Sequence, residues 1–159
     1  MFKIHAMLLG ALGLTVGPMA QRVDAAPPAP CPGEVTLVSQ SNVEVAVYGS
    51  RTVTEFDYTA VHTLCLRDGT VIDDAAQVGH LWMSQQADGS GIVKFSSTVS
   101  HDGGQLSGNG AGQIDAIGVI SGRVWVNGGT GPLAGTTGHG WFRSTSPVTF
   151  EDVVWYSFH

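Results

Sequence analysis

The chain has few positive charges. Its 159 residues contain 7 lysines and arginines against 13 aspartates and glutamates, which gives a formal net charge of −6. No cluster of basic residues interrupts this acidic balance. Because contacts to phosphate groups need local positive charge, the composition argues against a nucleic-acid partner. The low charged fraction and the many valine, isoleucine, tryptophan and phenylalanine residues indicate a folded core rather than disorder.

The chain also lacks the short motifs of common catalytic and cofactor sites. It has no HExxH or HxH spacing, no GxSxG nucleophile turn and no phosphate-binding loop ahead of a helix. His62 and His80 lie in predicted strands whose pairing the sequence does not give, and a zinc site would need several ligands brought together. We therefore expect no metal and no cofactor.

Long hydrophobic runs are confined to the N-terminus. Residues 6–20 are apolar, follow a short polar start and lead into a small-residue context near Ala25, an order typical of a signal peptide. We predict a signal peptide at residues 1–25, a proline- and alanine-rich linker at 26–33 and a folded domain at 34–159. An uncleaved membrane anchor is the alternative, but the run is short for a span of roughly 20 residues. The expected location is secreted, with no membrane association after cleavage.

Cysteine is scarce, with Cys31 and Cys65 the two in the chain. In an exported protein such a pair indicates a disulfide, here joining the start of the folded domain to an early strand. Because the closed loop is long, the bond is expected to stabilise the domain by roughly 3–4 kcal/mol. A nucleophilic or metal-binding thiol is the alternative, but neither cysteine lies in a CxxC motif or beside a histidine.

Beyond the N-terminal segment no window shows a helical period. Short runs of β-branched and aromatic residues alternate with polar ones, as in 43–47, and Asp-Gly, Gly-Gly or Ser-Pro steps separate the runs. The pattern predicts about eight or nine short strands, which is typical of a β-sandwich or a β-barrel. Residues 73–77 are the weakest segment and could form one helical turn. Glycine inside the later strands favours a small closed barrel, which needs sharply coiled strands.

The most informative stretch is NGGTGPLAGTTG, residues 127–138. It joins two predicted strands, 118–126 and 139–145. Asn-Gly and Gly-Gly steps supply the left-handed backbone that tight hairpins require. The glycines assigned to this turn are Gly128, Gly129, Gly131, Gly135 and Gly138.

The GGTGxxxGxxG pattern before a late strand resembles the hairpin of the allene oxide cyclase and dirigent superfamily. Residues 102–110, DGGQLSGNG, resemble the turn and strand that precede that hairpin in the family. Residues 153–158, VVWYSF, resemble the aromatic final strand of plant allene oxide cyclases. The resemblance implies an all-β fold, a single eight-stranded antiparallel barrel of calycin-like shape with a cavity. It also implies a possible homodimer or homotrimer.

The same resemblance suggests candidate residues and argues against the best-known activities. Plant cyclases carry Glu-x-Asn in an early strand, and here Glu44 matches the acid whereas Ala46 replaces the amide. Their cavity cysteine has no counterpart, since the nearest positions are Leu81 and Trp82. Thr137 stands where dirigent proteins have a pocket arginine. Glu44 is therefore either a buried cavity acid or, with the more apolar face of its strand opposite, solvent-exposed.

If Thr137 faces the cavity, strand alternation also turns His139, Trp141 and Arg143 inward. His139 is then a candidate proton shuttle and Arg143 a candidate carboxylate-binding residue. The alternatives are a histidine bonded to a loop carbonyl and a rim arginine paired with a carboxylate at 151–152. The catalytic candidates are Glu44, His139 and Arg143, and the ligand-contact candidates are Trp82, Trp125, Thr137, Trp141 and Trp155.

Two functions from different classes compete, and a third is structural. The first is a secreted barrel that binds a small apolar ligand, such as a lipid, a polyketide or a phenolic compound. The second is an isomerase or cyclase that folds a reactive substrate by conformational restraint. The third is a filled barrel without a ligand. Because the family's acid–amide pair and arginine are missing, we favour the binding protein.

Overall fold

The described part of the chain folds around one antiparallel sheet. The computed structural model describes residues 31–65 and 70–158, with side chains described from Pro32 to Trp155 within those ranges. The strands are β1 (Cys31–Tyr48), β2 (Arg51–Cys65), β3 (Val71–Gln86), β4 (Gly91–His101), β5 (Gly104–Ile114), β6 (Ile120–Thr130), β7 (Thr136–Ser144) and β8 (Thr149–Phe158), with a short 3-10 helix, Gly131–Leu133, between β6 and β7.

Each strand pairs with the next along the chain, and β8 pairs with β1, so the sheet closes in a ring. The prediction of an all-β chain with eight antiparallel strands in a single closed sheet is confirmed. Such a sheet has an inner and an outer face, and successive residues alternate between the two. Among the described residues, no helix has the length and apolar character needed to cross a membrane.

Strand β1 is paired on both edges over only part of its length. It pairs with β8 from Cys31 to Thr36 and with β2 as far as Tyr48. Beyond Leu37, whose amide hydrogen-bonds to the Val148 carbonyl, one edge of β1 pairs with no strand in the described part of the chain. The sheet therefore closes through the pairing of β1 with β8, whereas the second half of β1 has one exposed edge.

Several predicted boundaries differ from the structure. Strand β1 begins at Cys31, earlier than the predicted domain start at 34, and the signal peptide at 1–25 lies outside the described residues. The predicted helical turn at 73–77 is wrong, because these residues continue β3. Glycine has a weak preference for strands. Because β6 and β7 each pair with both neighbouring strands, the hydrogen bonds of the sheet hold their glycines in the strand conformation.

The glycine-rich hairpin is shorter than predicted. Strand β6 extends through Gly128 and Gly129 to Thr130, and Gly138 lies in β7. Gly131 and Gly135 are the turn glycines, with φ angles of 57° and 78°. These angles lie in the left-handed region, which glycine adopts more readily than other residues. The turn prediction is therefore correct at Gly131 and Gly135 and wrong at Gly128, Gly129 and Gly138.

Two apolar clusters fill the inner face of the sheet. The first contains Leu64, Ile72, Ala75, Val99, Leu106, Leu133 and Val154. The second contains Phe56, Tyr58, Ala60, Leu81, Val93 and Phe142. In the second cluster the Phe95 and Phe142 rings meet edge to face, with centroids 5.2 Å apart and an interplanar angle of 79°. Burying each large apolar side chain contributes about 1.5–3 kcal/mol, so these clusters provide the main stabilisation of the ring.

The predicted disulfide involves one side chain outside the described part. Cys31 opens β1 and Cys65 ends β2, and the pairing of Glu34 with Thr63 places both backbones at the same end of this strand pair. The Cys31 side chain is outside the described set. The Cys31–Cys65 bond therefore stays a prediction.

Candidate functional site

A cavity of about 90 Å³ lies inside the closed sheet. Its wall is mainly apolar and includes Leu81, Val93 and Phe142. The polar residues in the wall are Tyr58, His62, Gln77, Ser97, Ser107 and Asp152. A small apolar space with a few polar groups is the usual composition of a site for a small organic ligand.

Strand β2 supplies two of these polar groups through its alternation. Phe56, Tyr58, Ala60, His62 and Leu64 are all buried, so every second residue of this segment faces inward. His62 and Tyr58 thus occupy a face that is otherwise apolar. Burying a polar group without a partner is costly, so polar residues on such a face need partners within the site.

His62 contacts Asp152 across the intervening strand β1. The His62 Nε2 atom is 3.2 Å from the Asp152 Oδ2 atom, and both side chains are 9% exposed. Gly33, which pairs with Asp152, lies between them. A Cβ atom at Gly33 would collide with Asp152 Oδ1 and would lie 2.7 Å from the Thr63 carbonyl oxygen. The glycine therefore provides the space in which the carboxylate reaches His62.

The second polar group of the cavity centres on Tyr58. Gln77 Nε2 donates a hydrogen bond to the Tyr58 hydroxyl at 3.3 Å. A Cβ atom at Gly79, the residue paired with Tyr58 on β3, would lie 2.5 Å from the phenol oxygen, so this position has to be a glycine for the ring to lie there. Burial raises the pKa of Tyr58 above its ordinary value of 10.0, while hydrogen bonds with Gln77 and Ser97 oppose the shift. Tyr58 is therefore neutral at physiological pH and can donate a hydrogen bond.

Two cavity-wall residues each carry a buried polar atom without a partner. Among the described residues, the buried side-chain atoms that lack a hydrogen-bond partner are His62 Nδ1, Gln77 Oε1 and Thr136 Oγ1. The residues of the first two line the cavity, and Thr136 does not. Because buried polar groups in folded proteins are nearly always paired, these two atoms are candidate ligand contacts.

The raised pKa of Tyr58 predicts a loss of stability at alkaline pH. The folded chain keeps a proton that the unfolded chain loses near pH 10, so the contribution is complete below about pH 10 and is lost as the pH rises through the folded-state pKa. We expect the free energy of unfolding, measured by urea titration between pH 9 and 11.5, to fall more steeply in the wild type than in Tyr58→Phe. Equal slopes would contradict the prediction.

The prediction that His139, Trp141 and Arg143 point inward is wrong. On β7 the inner face is formed by Gly138, Gly140 and Phe142. His139, Trp141 and Arg143 are exposed on the outer face, and the half-buried Thr137 does not line the cavity either. The error is one residue of register: the inference from the dirigent arginine fixed the wrong parity for the strand, and a shift of one residue exchanges the two faces.

The remaining predicted site residues also lie away from the cavity. Trp125 pairs with His139, and His139 with Trp155, in one row on the outer face. Trp82 lies beneath Lys94, whose Nζ atom is 5.7 Å from the centre of the indole ring. Glu44 is exposed, as the solvent-exposed interpretation expects. None of the predicted catalytic or ligand-contact residues lines the cavity.

The outer face also holds a polar cluster on β1, β2 and β3. His80 Nδ1 is 2.9 Å from Asp57 Oδ1, and Asn42 Nδ2 donates to Asp57 Oδ2 at 2.6 Å. These hydrogen bonds lower the pKa of Asp57. Glu55 Oε2 is 3.7 Å from His80 Nε2. All four residues are accessible to solvent, so the cluster is a polar surface and not part of the cavity.

The sequence contained a signal for the true cavity residues. Tyr58 and His62 occupy the same alternating positions as Phe56 and Leu64, and Asp152 stands between Phe150 and Val154. A polar residue inside an apolar alternating stripe indicates a buried polar contact. That His62 and Asp152 meet could not be inferred, because it depends on the closure of β8 onto β1.

Comparison with known proteins gives no further assignment. No protein-family model and no curated protein matches the chain. The chemistry available to the cavity is therefore that of its own residues. They are an imidazole oriented by a carboxylate, a neutral phenol, an amide and two serine hydroxyl groups within an apolar wall.

Proposed function

We propose that this chain is a secreted barrel of the allene oxide cyclase and dirigent type that binds a small, mostly apolar molecule in its cavity. The ligand carries one hydroxyl or carbonyl group. Support for the fold comes from the single closed sheet of eight antiparallel strands and from the glycine-rich hairpin. Support for the function comes from the cavity wall.

The size of the cavity selects among ligand classes. A volume of about 90 Å³ is below the roughly 300–1,000 Å³ of pockets for drug-sized ligands. It is also below the roughly 150 Å³ of an engineered apolar cavity that binds benzene. A compact single-ring compound is therefore the largest ligand we expect, and it requires small adjustments of the wall, whereas a long acyl chain or a polycyclic polyketide does not fit. Among the expected classes, the phenolic one is favoured.

The observation that carries the proposal is the pair of unpartnered polar atoms in the cavity wall. Gln77 Oε1 accepts hydrogen bonds, and a ligand hydroxyl can donate to it. The same hydroxyl can accept from Tyr58, or pair with His62 Nδ1. Because an unpartnered buried acceptor costs about 1–3 kcal/mol, a ligand that satisfies it gains both affinity and orientation.

Binding of phenol and of benzene tests this proposal. We expect the protein to bind phenol about tenfold more tightly than benzene, since only phenol can pair with the polar atoms. The variant Gln77→Met keeps a similar volume but removes the amide, and we expect it to lose the preference while retaining affinity for benzene. Ligand-observed NMR on the mature protein measures both affinities.

The matched control is Gln113→Met, at an exposed position on β5. It is expected to leave the preference for phenol unchanged. Absence of binding by both compounds, or equal binding in the wild type, contradicts the proposal and favours a cavity that holds only water. Native mass spectrometry of the protein from its own host, followed by organic extraction, then identifies the natural ligand.

The His62–Asp152 pair supports a second candidate, an isomerase or cyclase. A base whose orientation is fixed by a carboxylate is the arrangement used for general base catalysis. His62 Nδ1 would remove a proton from a bound substrate, and the neutral Tyr58 would donate a hydrogen bond to the developing oxyanion. Exchange of a ligand C–H hydrogen with deuterated solvent, lost in His62→Gln, distinguishes this activity from binding alone.

A further inference from the structure

The outer face of β6, β7 and β8 carries an aromatic row that the cavity does not explain. The register places Trp125, His139 and Trp155 side by side across the three strands. The rings of His139 and Trp155 are stacked, with centroids 6.0 Å apart and planes 25° apart. One step along the strands, Trp141 lies beside Arg123. Trp125 is 42% exposed and Trp141 36% exposed, so both indoles offer surface to a partner.

Two arginines on the same face have no partner. Arg123 and Arg143 are both exposed, and neither guanidinium has an ion pair or a hydrogen bond to a described residue. Glu151 lies opposite Arg143 in the register but forms no ion pair with it. A guanidinium presents a planar fork of donors that matches a carboxylate, so the face has two free sites for anionic groups.

The charges of the chain are divided between the two halves of the sheet. Strands β1 to β4 contain the carboxylates Glu34, Glu44, Glu55, Asp57, Asp73 and Asp74, against Arg51 and Lys94. Strands β5 to β8 contain Arg123 and Arg143 against Glu151 and the buried Asp152. In an acidic chain, the outer face of β5 to β8 is therefore the part that suits an anionic partner.

We propose that the outer face of β6 and β7 binds an acidic polysaccharide through Trp125, Trp141, Arg123 and Arg143. Sugar rings present weakly positive C–H groups that stack on the negative face of an indole. Uronate carboxylates match the guanidinium fork, and the exposed amides of Asn109, Asn127 and Gln113 surround the site as hydroxyl partners.

A polyphosphate is a poorer match for this surface. Binding of nucleic acids depends on many lysine and arginine contacts to closely spaced phosphates, and this face has two cations. A protein partner is also less suited, since the exposed indoles are interleaved with charged and polar side chains and do not form a continuous apolar patch. Alternation of flat aromatic and bidentate cationic groups suits a sugar chain with spaced carboxylates.

The test uses a galacturonic acid tetramer and its fully methyl-esterified form, which has the same rings without charge. Calorimetric titration of the mature protein is expected to show binding of the acid about tenfold or more tighter than that of the ester. Arg123→Gln and Arg143→Gln are each expected to weaken binding of the acid about tenfold. Trp141→Ala is expected to weaken binding of both forms by roughly three- to tenfold.

The controls are Trp82→Ala and Arg51→Gln, which change the same residue types elsewhere on the outer surface. Both are expected to keep the wild-type affinity. Equal binding of acid and ester, equal losses in the controls, or no binding of the tetramer overturns the proposal. Binding to phosphatidylglycerol vesicles without binding to the tetramer overturns it in favour of a lipid partner. Phenol is expected to bind inside the sheet, so its presence should not alter the titration.

Discussion

Replacing Asp152 with alanine is expected to lower the free energy of unfolding by about 1–3 kcal/mol. The carboxylate and the His62 imidazole are each 9% exposed and 3.2 Å apart, and His62 Nδ1 already lacks a partner. Without Asp152 the Nε2 atom of this buried imidazole also loses its partner, and an unsatisfied buried polar atom costs about 1–3 kcal/mol. Urea unfolding at neutral pH, monitored by tryptophan fluorescence, measures the loss.

A double variant separates the pair's own contribution from the cost of leaving one partner alone. Replacing both partners of a buried polar contact with apolar residues can be nearly neutral or stabilising, so His62→Leu combined with Asp152→Leu is expected to recover most of the stability lost in Asp152→Ala. Recovery would show that the pair is retained for a purpose other than stability. The double variant should also lose any exchange activity of the cavity, because the base is gone.

The chain provides a surface pair as the matched control. His101 Nε2 and Asp102 Oδ2 are 3.1 Å apart, but the Asp102 side chain is 86% exposed. Asp102→Asn, which tolerates the left-handed backbone at this position, is expected to cost less than about 1 kcal/mol. If both single variants lose the same small amount, the His62–Asp152 contact is not the buried interaction described above.

The sequence predicted the class and the order of this fold because strand periodicity and turn residues are local properties. Alternation in β2 and the left-handed glycines Gly131 and Gly135 are set by residues adjacent in the chain. The face of each strand that points inward was harder to predict from the sequence. In β7 the face was inferred from the match of Thr137 to the dirigent arginine, and the inner residues Gly138 and Gly140 have no side chains that could have corrected it.

The candidate site depends on contacts between strands far apart in the sequence. His62 and Asp152 meet only because β8 closes onto β1, and because Gly33 leaves room between them. No local pattern contains that information. Tyr58 and Gln77, in contrast, lie on consecutive strands, and a correct register for β2 and β3 would have brought them together. Closure of the sheet was therefore the missing step between predicting the strands and predicting the site.

Removing the Phe142 ring is expected to destabilise the protein by about 3–5 kcal/mol. Phe142 is 6% exposed, lines the cavity and contacts Phe95 edge to face. Phe142→Ala loses this contact and enlarges a space that already exists, and part of the cost depends on how far the wall relaxes into it. Thermal and urea unfolding of the variant measure the destabilisation.

The same variant tests whether the cavity can select ligands by size. The wild-type space of about 90 Å³ holds a single ring only after the wall adjusts, whereas the enlarged cavity should hold benzene without such adjustment, as an apolar cavity of roughly 150 Å³ does. Benzene should therefore raise the melting temperature of Phe142→Ala more than that of the wild type, because a ligand that binds only the folded state stabilises it by mass action.

Leu133→Ala provides the control for a destabilising loss of core volume away from the cavity. Leu133 is 7% exposed and belongs to the other apolar cluster, and it does not line the cavity. It is expected to lose about 2–5 kcal/mol without gaining a response to benzene. If both variants respond equally, the benzene effect reflects general loosening of the core. If only Phe142→Ala responds, the inner wall at Phe142 sets the size limit of the ligand, so changing this ring should alter ligand choice while the polar contacts of Tyr58 and Gln77 stay in place.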